Sequence, residues 1–380
     1  MKKALMVAVL SGVFATAAHA QSSVTLYGLI DAGITYTNNQ HGHSNWQETS
    51  GSVNGSRWGL RGAEDLGDGL KAIFTLENGF GINDGTLKQG GREFGRQAFV
   101  GLASDQFGGV TLGRQYDSMV DYVGPLSLTG TQYGGTQFAH PFDNDNLTNS
   151  FRINNSVKYQ SPNFAGFKFG ALYGFSNAAG QFTNNRAYSF GMAYNYACLN
   201  IAAAYLQLNS NTNPGATFNA SGAVSGDNTF LAGRQQTWGA GANCTFGPIT
   251  AGLAYAQTNL RDDPGISGGQ SGVTGGVDLG GGSSRFQNIE ANARYSLTPA
   301  LTVAGSYTYT RGSIEGVHMH WNQFNLQTAY ALSRRTDVYL QGEYQLVNEG
   351  SGMVAYINGL SAASSNNGQI AVTAGLRHRF

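Results

Sequence analysis

The chain has 380 residues with 22 Lys+Arg against 22 Asp+Glu, and only 12% of its residues are charged, where about 25% is usual. A neutral chain without a basic block lacks the phosphate contacts of a nucleic-acid binder, and its 12% aromatic content with so little charge excludes disorder. Two cysteines are too few for a disulfide scaffold or a four-cysteine zinc site.

Residues 1–20 are expected to be a cleaved export leader. Lys2 and Lys3 open it, an apolar run follows over 4–13, and Ala18-His19-Ala20 is a small-x-small cleavage site before Gln21. The apolar core is too short to span a bilayer as a helix, which takes about 20 residues. The remainder, 21–380, has no composition break and is taken as one domain.

From about residue 24 to the end, apolar and polar residues alternate with period two, as in strands with one greasy and one wet face. In 286–297, Ile289, Ala291, Ala293 and Tyr295 oppose Asn288, Glu290, Asn292 and Arg294. The same holds for Phe324 and Leu326 against Gln323, Asn325 and Gln327, and for Val338 and Leu340 against Tyr339 and Gln341. At the end, Ile370, Val372, Ala374, Leu376 and Phe380 oppose Gln369, Thr373, Arg377 and Arg379.

Two sizes of connection separate these segments. Tight turns include Asp65-Leu66-Gly67-Asp68-Gly69, Ser161-Pro162-Asn163, Phe246-Gly247-Pro248 and Thr298-Pro299-Ala300. Long polar connections are expected at 38–55, 81–93, 117–150, 209–235, 261–284 and 348–368. Short and long alternate, which is the asymmetry of an outer-membrane barrel with short periplasmic turns and long outside loops. A secreted sandwich or propeller also alternates along its strands but has no such regular asymmetry. With strands of about ten residues, a hairpin with its turn and loop takes roughly 42, so the chain after the leader holds roughly sixteen strands. The expected fold is all-β, a 16-stranded antiparallel transmembrane β-barrel. A barrel of that size encloses a water-filled lumen. Its greasy outer face is stable only in lipid, where closure satisfies the backbone.

Several motifs resemble the general (non-specific) diffusion porins of the Gram-negative outer membrane, in their β-proteobacterial type. They are Ser22-Ser23-Val24-Thr25-Leu26-Tyr27-Gly28, Ser56-Arg57-Trp58-Gly59-Leu60-Arg61-Gly62, Gly95-Arg96-Gln97-Ala98-Phe99-Val100-Gly101, Val110-Thr111-Leu112-Gly113-Arg114-Gln115-Tyr116-Asp117 and Asn154-Asn155-Ser156-Val157-Lys158-Tyr159. The resemblance runs over essentially the whole chain after the leader. It implies a homotrimeric channel for small hydrophilic solutes and ions, in contact with outer-membrane lipid and lipopolysaccharide. It implies that the third extracellular loop, about 117–150, folds into the lumen. It also implies that the terminal Phe380 is read by the barrel-assembly machinery.

By the same resemblance, arginines on one wall of a constriction face carboxylates of that loop. Matched by motif, the arginines are Arg57, Arg96, Arg114 and Arg152, and the acids begin with Asp117 and Asp121, followed by Asp143 and Asp145. Alternation points Arg57 inward, because Trp58 and Leu60 point out. Arg114 shares the parity of Val110 and Leu112, so an inward Arg114 requires a bulge or the strand end. Opposed charges across a wet constriction filter by size and charge without chemistry. Ion preference stays open, since the loop acids offset the arginines. A substrate-selective, anion-preferring porin or a loop-borne adhesin on the same barrel are the alternatives.

No enzymatic activity, cofactor or metal is expected. The histidines sit beside no nucleophile motif, and neither His41-Gly42-His43 nor His318-Met319-His320 has a recognisable third ligand. Cys198 and Cys244 both fall near the periplasmic rim, in an oxidising compartment, and whether they bridge is open at this stage.

Overall fold

In the computed structural model the described residues are 23–210, 222–224, 230, 232–266, 277–348 and 352–380. The expected leader and its cleavage point lie outside them. The strands are β1 (Ser23–Gln40), β2 (His43–Ser50), β3 (Arg57–Gly67), β4 (Leu70–Gly79), β5 (Gln97–Ser104), β6 (Gly108–Gln115), β7 (Ile153–Gln160), β8 (Phe167–Gly174) and β9 (Arg186–Tyr196). They continue with β10 (Leu199–Asn209), β11 (Arg234–Phe246), β12 (Ile249–Ile266), β13 (Val277–Ser296), β14 (Leu301–Ile314), β15 (Val317–Ala331), β16 (Thr336–Val347) and β17 (Gly368–Arg379).

These segments form one closed antiparallel sheet of sixteen staves. β2 and β3 both pair with β1, Ala32 opposite Ser50 and Leu29 opposite Arg57, so together they make the second stave. Closure is the pairing of β1 with β17, from Leu29 opposite Arg379 to Thr37 opposite Ala371. The 16-stranded expectation holds.

Burial is reversed relative to a water-soluble protein. Thr35, Thr237, Thr258, Asn288, Thr308, Gln323, Gln341 and Gln369 are buried in the interior, while Leu253, Ile289, Phe324, Leu326 and Leu340 stand exposed outside. An apolar outer wall of this kind suits lipid.

Two expected long loops are corrected. At 38–55 the ladder runs on to Gln40 and turns at His41-Gly42, with φ of 51° and 93°, into β2. At 261–284 β12 and β13 continue to Ile266 and from Val277, with register shifts between Leu260, Asp263 and Gly265. Both stretches are polar or glycine-rich, yet backbone pairing does not require a greasy face. Beyond the lipid a hairpin is wet on both sides, so the alternation that reveals a membrane strand disappears. Glu315-Gly316, with φ of 48° and 84°, is a second two-residue turn at the same end of the barrel, where positive φ at both positions suits the twist of a hairpin. The short-long rule therefore fails at two extracellular connections.

The second stave is broken at 51–56. There Asp31 Oδ2 accepts the Val53 and Asn54 amides, at 3.2 and 2.7 Å. Asp31 Oδ1 accepts the Tyr339 hydroxyl at 2.6 Å.

Candidate functional site

Residues 116–152 leave β6 and return to β7 in short helical turns and bends. The segment bonds to inward side chains around the barrel. Ser118 meets Ser189, and the Leu128 amide and Ser127 hydroxyl meet Glu290 at 2.7 and 2.6 Å. Gln137 accepts from Gln341 and Thr373, and Asn144 bonds Asn288. The Thr136 and Gln137 amides bond Val53 and Ser52 carbonyls, so the break in the second stave meets the loop from the other side. Gly135, at φ +59°, makes this approach possible, since a Cβ there would stand 1.4 Å from the Val53 carbonyl oxygen.

Apolar residues seat the loop as well. Met119, Val123, Leu147 and Phe151 pack with Leu172, Leu206 and Ala256. Phe142 packs with Phe286, Trp321 and Tyr356. The upper lumen is thus partly dry, which strand alternation alone did not indicate. The local signal was present: Leu206 and Leu208 point inward, reversing the polarity of that face near the strand end.

Between loop and wall lies a cavity of about 580 Å³, lined by Arg57, Arg96, Arg152, Tyr116 and Asp143 among others. The Arg96 Nε donates to Glu77 Oε1 at 2.7 Å and its Nη2 to the Tyr116 hydroxyl at 3.0 Å. Arg152 lies over the Tyr116 ring, 5.6 Å from its centroid. Tyr116 therefore spaces two guanidiniums by accepting a hydrogen bond from one and a cation–π contact from the other. Tyr116 and Glu77 were missed from sequence. Tyr116 stands in the quoted G-R-Q-Y motif, but nothing in one sequence marks a tyrosine as a spacer.

Arg114 is placed elsewhere. A register shift falls between Gly113 and Gln115, with Gly113 at φ 142°, and Arg114 is buried. Its guanidinium donates to the Gly95 carbonyl at 2.8 Å and to Asn154 Oδ1 at 2.5 Å. It ties segments together and is absent from the cavity lining.

The loop acids divide by role. Asp117 is buried, accepting the Met119 amide and the Asn146 side chain, both at 2.7 Å, and burial pushes it up to about 6. Asp121 pairs with Lys158. Asp145 accepts from Asn288 and bonds His140 Nδ1 at 2.6 Å. Among these loop acids only Asp143 lines the cavity, its oxygens accepting the Thr148 and Ser150 amides at 3.1 and 3.0 Å. Burial raises its carboxyl above the ordinary range, and nearby Asp145 adds to the rise.

At the opposite end, the Phe380 amide donates to the Gly28 carbonyl at 3.1 Å and the Gly28 amide to the Phe380 carbonyl at 3.0 Å. The ring covers Gly28, where a Cβ would stand 2.3 Å from it. Cys198, in the β9–β10 turn, and Cys244 are disulfide-bonded with Cα atoms 4.8 Å apart. No strand separates them, because Leu199 pairs directly with Cys244.

A profile of the Gram-negative porins matches residues 4–350. The chain belongs to that family. An outer membrane porin protein of Bordetella pertussis is 35% identical over 417 aligned positions, covering all of both chains. The major outer membrane protein P.IB of Neisseria meningitidis is 35% identical over 202 positions, 51% of this chain and 55% of that protein. Among solved structures, an anion-selective porin from Comamonas acidovorans superposes with a TM-score of 0.73 at 24% identity, over 95% of this chain and 100% of the other. The porin is thus an outer-membrane β-barrel for passive diffusion, and its relatives are channel proteins rather than enzymes.

Proposed function

We propose that the cavity between the loop and the wall is the charge and size filter of the channel. Arg57, Arg96 and Arg152 form its cationic side and Asp143 its acidic loop side. The supporting observation is the common lining of one cavity by three guanidiniums and this one loop carboxylate. Low local dielectric and fixed charges make such a lining selective without binding any solute tightly. Asp117, Asp121 and Asp145 are taken up by internal partners, so the lining carries net positive charge and favours small anions. In this reading the porin works as a homotrimer, residues 1–20 direct export, and Phe380 is the mark read during assembly.

The test is the reversal potential across a planar bilayer in a potassium chloride gradient. The wild type is expected to prefer chloride. Arg57→Gln combined with Arg152→Gln moves the reversal potential toward the potassium value. An unmoved reversal potential in channels of normal conductance removes these residues from the filter.

A further inference from the structure

The inner face of β15 and β16 carries a polar cluster that the filter does not use. Gln323 stands opposite Gln345, Asn325 opposite Glu343 and Gln327 opposite Gln341. All six side chains are buried, and Asn325, at 6% exposure, is the most open of them. The lumen loop covers this face. Gln323 Nε2 donates to the Ala139 carbonyl at 2.9 Å, and Gln341 donates to Gln137. None of the six lines the cavity between the loop and the wall.

The cluster is rich in unmatched oxygen. Glu343 Oε2, Gln323 Oε1, Asn325 Oδ1, Gln327 Oε1 and Gln341 Oε1 have no hydrogen-bond partner among the described residues. Two amide nitrogens, those of Gln327 and Gln345, are unmatched as well, so acceptors outnumber donors. The Gln327 amide has neither atom engaged, and turning it breaks no bond. Buried polar groups in native folds have partners, so so many orphan oxygens on one face point to something that they hold.

Glu343 decides what that is. Its Oε1 accepts Gln323 Nε2 at 2.9 Å, but it forms no ion pair with a Lys, Arg or His among the described residues. His140, in the loop bend that covers the cluster, is already shared between Asp145 and Glu290. A buried carboxylate without a counter-charge is costly, so it takes a proton or a cation. A proton on Oε2 would serve that oxygen and one acceptor, leaving three of the five oxygens without a donor. A cation can be ringed by several oxygens at once.

We propose that this cluster binds a monovalent alkali cation, potassium or sodium, between β15 and β16. Glu343 Oε2 is its charged ligand, and the amide oxygens of Asn325, Gln323 and Gln341 are its neutral ones. Asn325 lies directly across from Glu343, and Gln323 and Gln341 are the diagonal neighbours of that pair, within reach of long side chains. Hard cations take oxygen ligands, and neutral carbonyl-type oxygens replace the hydration shell of an alkali ion. One carboxylate balances one positive charge. No group of three or more His, Cys, Asp or Glu that could hold a metal ion occurs among the described residues, which sets the site apart from a multivalent metal centre. The site is independent of the filter proposed above.

The experiment uses the detergent-solubilised porin. Thermal midpoints are compared in potassium, sodium and choline chloride at equal ionic strength. The alkali salts raise the wild-type midpoint over choline by about 2–4 °C, saturably, and Glu343→Gln loses that difference. Equal wild-type midpoints in alkali and choline salts overturn the proposal, as does a folded Glu343→Gln variant that keeps the difference. A rise with calcium alone overturns the monovalent assignment. Wild-type crystals soaked in thallium(I) nitrate need no variant: an anomalous peak between Asn325 and Glu343 is expected. Ordered water only at that position, without anomalous signal, overturns the site.

Discussion

His140 Nε2 lies 3.0 Å from Glu290 Oε2, and its other ring nitrogen lies 2.6 Å from Asp145 Oδ2, with all three side chains buried. Glu290 belongs to the wall strand β13, whereas His140 and Asp145 belong to the lumen loop. Because Ser127 and the Leu128 amide also donate to Glu290, two separate bends of the loop converge on one wall carboxylate. Removing one partner of a buried, hydrogen-bonded pair costs about 3–5 kcal/mol. Glu290→Gln is expected to lower the thermal midpoint and to raise open-channel noise as the loop loosens. Recordings and melts that match wild type would show that the loop is held without the Glu290 carboxylate.

The same contact has a pH dependence. Burial by itself disfavours the imidazolium, and the Asp145 and Glu290 carboxylates override it, pushing His140 up to about 10. A histidine raised above its unfolded value of about 6.5 stabilises the fold fully below that pH. The contribution is then lost as pH rises through about 10. Melting curves of wild type and His140→Gln from pH 6 upward are expected to differ most at the acid end and to converge toward the alkaline end. A constant difference would mean that His140 acts by packing rather than by charge.

Arg57 and Arg114 are expected to separate experimentally. Arg57 lines the cavity, so Arg57→Gln shifts reversal potential with little change in stability. Arg114 donates to the Gly95 carbonyl and to Asn154. Arg114→Ala leaves those acceptors unmatched, at about 1–3 kcal/mol, with a smaller shift in selectivity. Paired bilayer recordings and denaturation midpoints read both effects. An Arg114 variant that alters selectivity as strongly as Arg57→Gln would contradict the placement of its guanidinium.

Thiol titration of the denatured, unreduced porin is expected to find no free thiol, because Cys198 and Cys244 are bonded. Replacing both by serine should lower stability by about 2–4 kcal/mol while conductance stays as in wild type, since the bridge lies at the rim. A thiol count of two would place the pair in the reduced state in the cell envelope.

Period-two alternation and the two sizes of connection were enough to derive the barrel and, through the length of a hairpin, its strand number, and alternation gave the wet face of residues such as Asn288. Lipid imposes a uniform rule on every stave: apolar outward, backbone fully paired. A uniform rule leaves its mark in sequence. Where that rule lapses, sequence reading lapsed too. The strands at 38–50, 261–266 and 277–284 pass above the lipid, and their polar or glycine-rich faces looked like loops although their backbones stay paired. The division of the loop acids was equally invisible. Asp117, Asp121, Asp143 and Asp145 are alike in sequence, and only the packing of residues 117–150 inside the barrel leaves Asp143 alone among them beside the cavity. Such placement depends on contacts such as His140 with Glu290, 150 residues apart, for which no local pattern exists. Alternation would turn Arg114 outward with Val110 and Leu112, and the register shift beside Gly113 buries it instead, for the same reason: one residue of register is settled by the strands on either side.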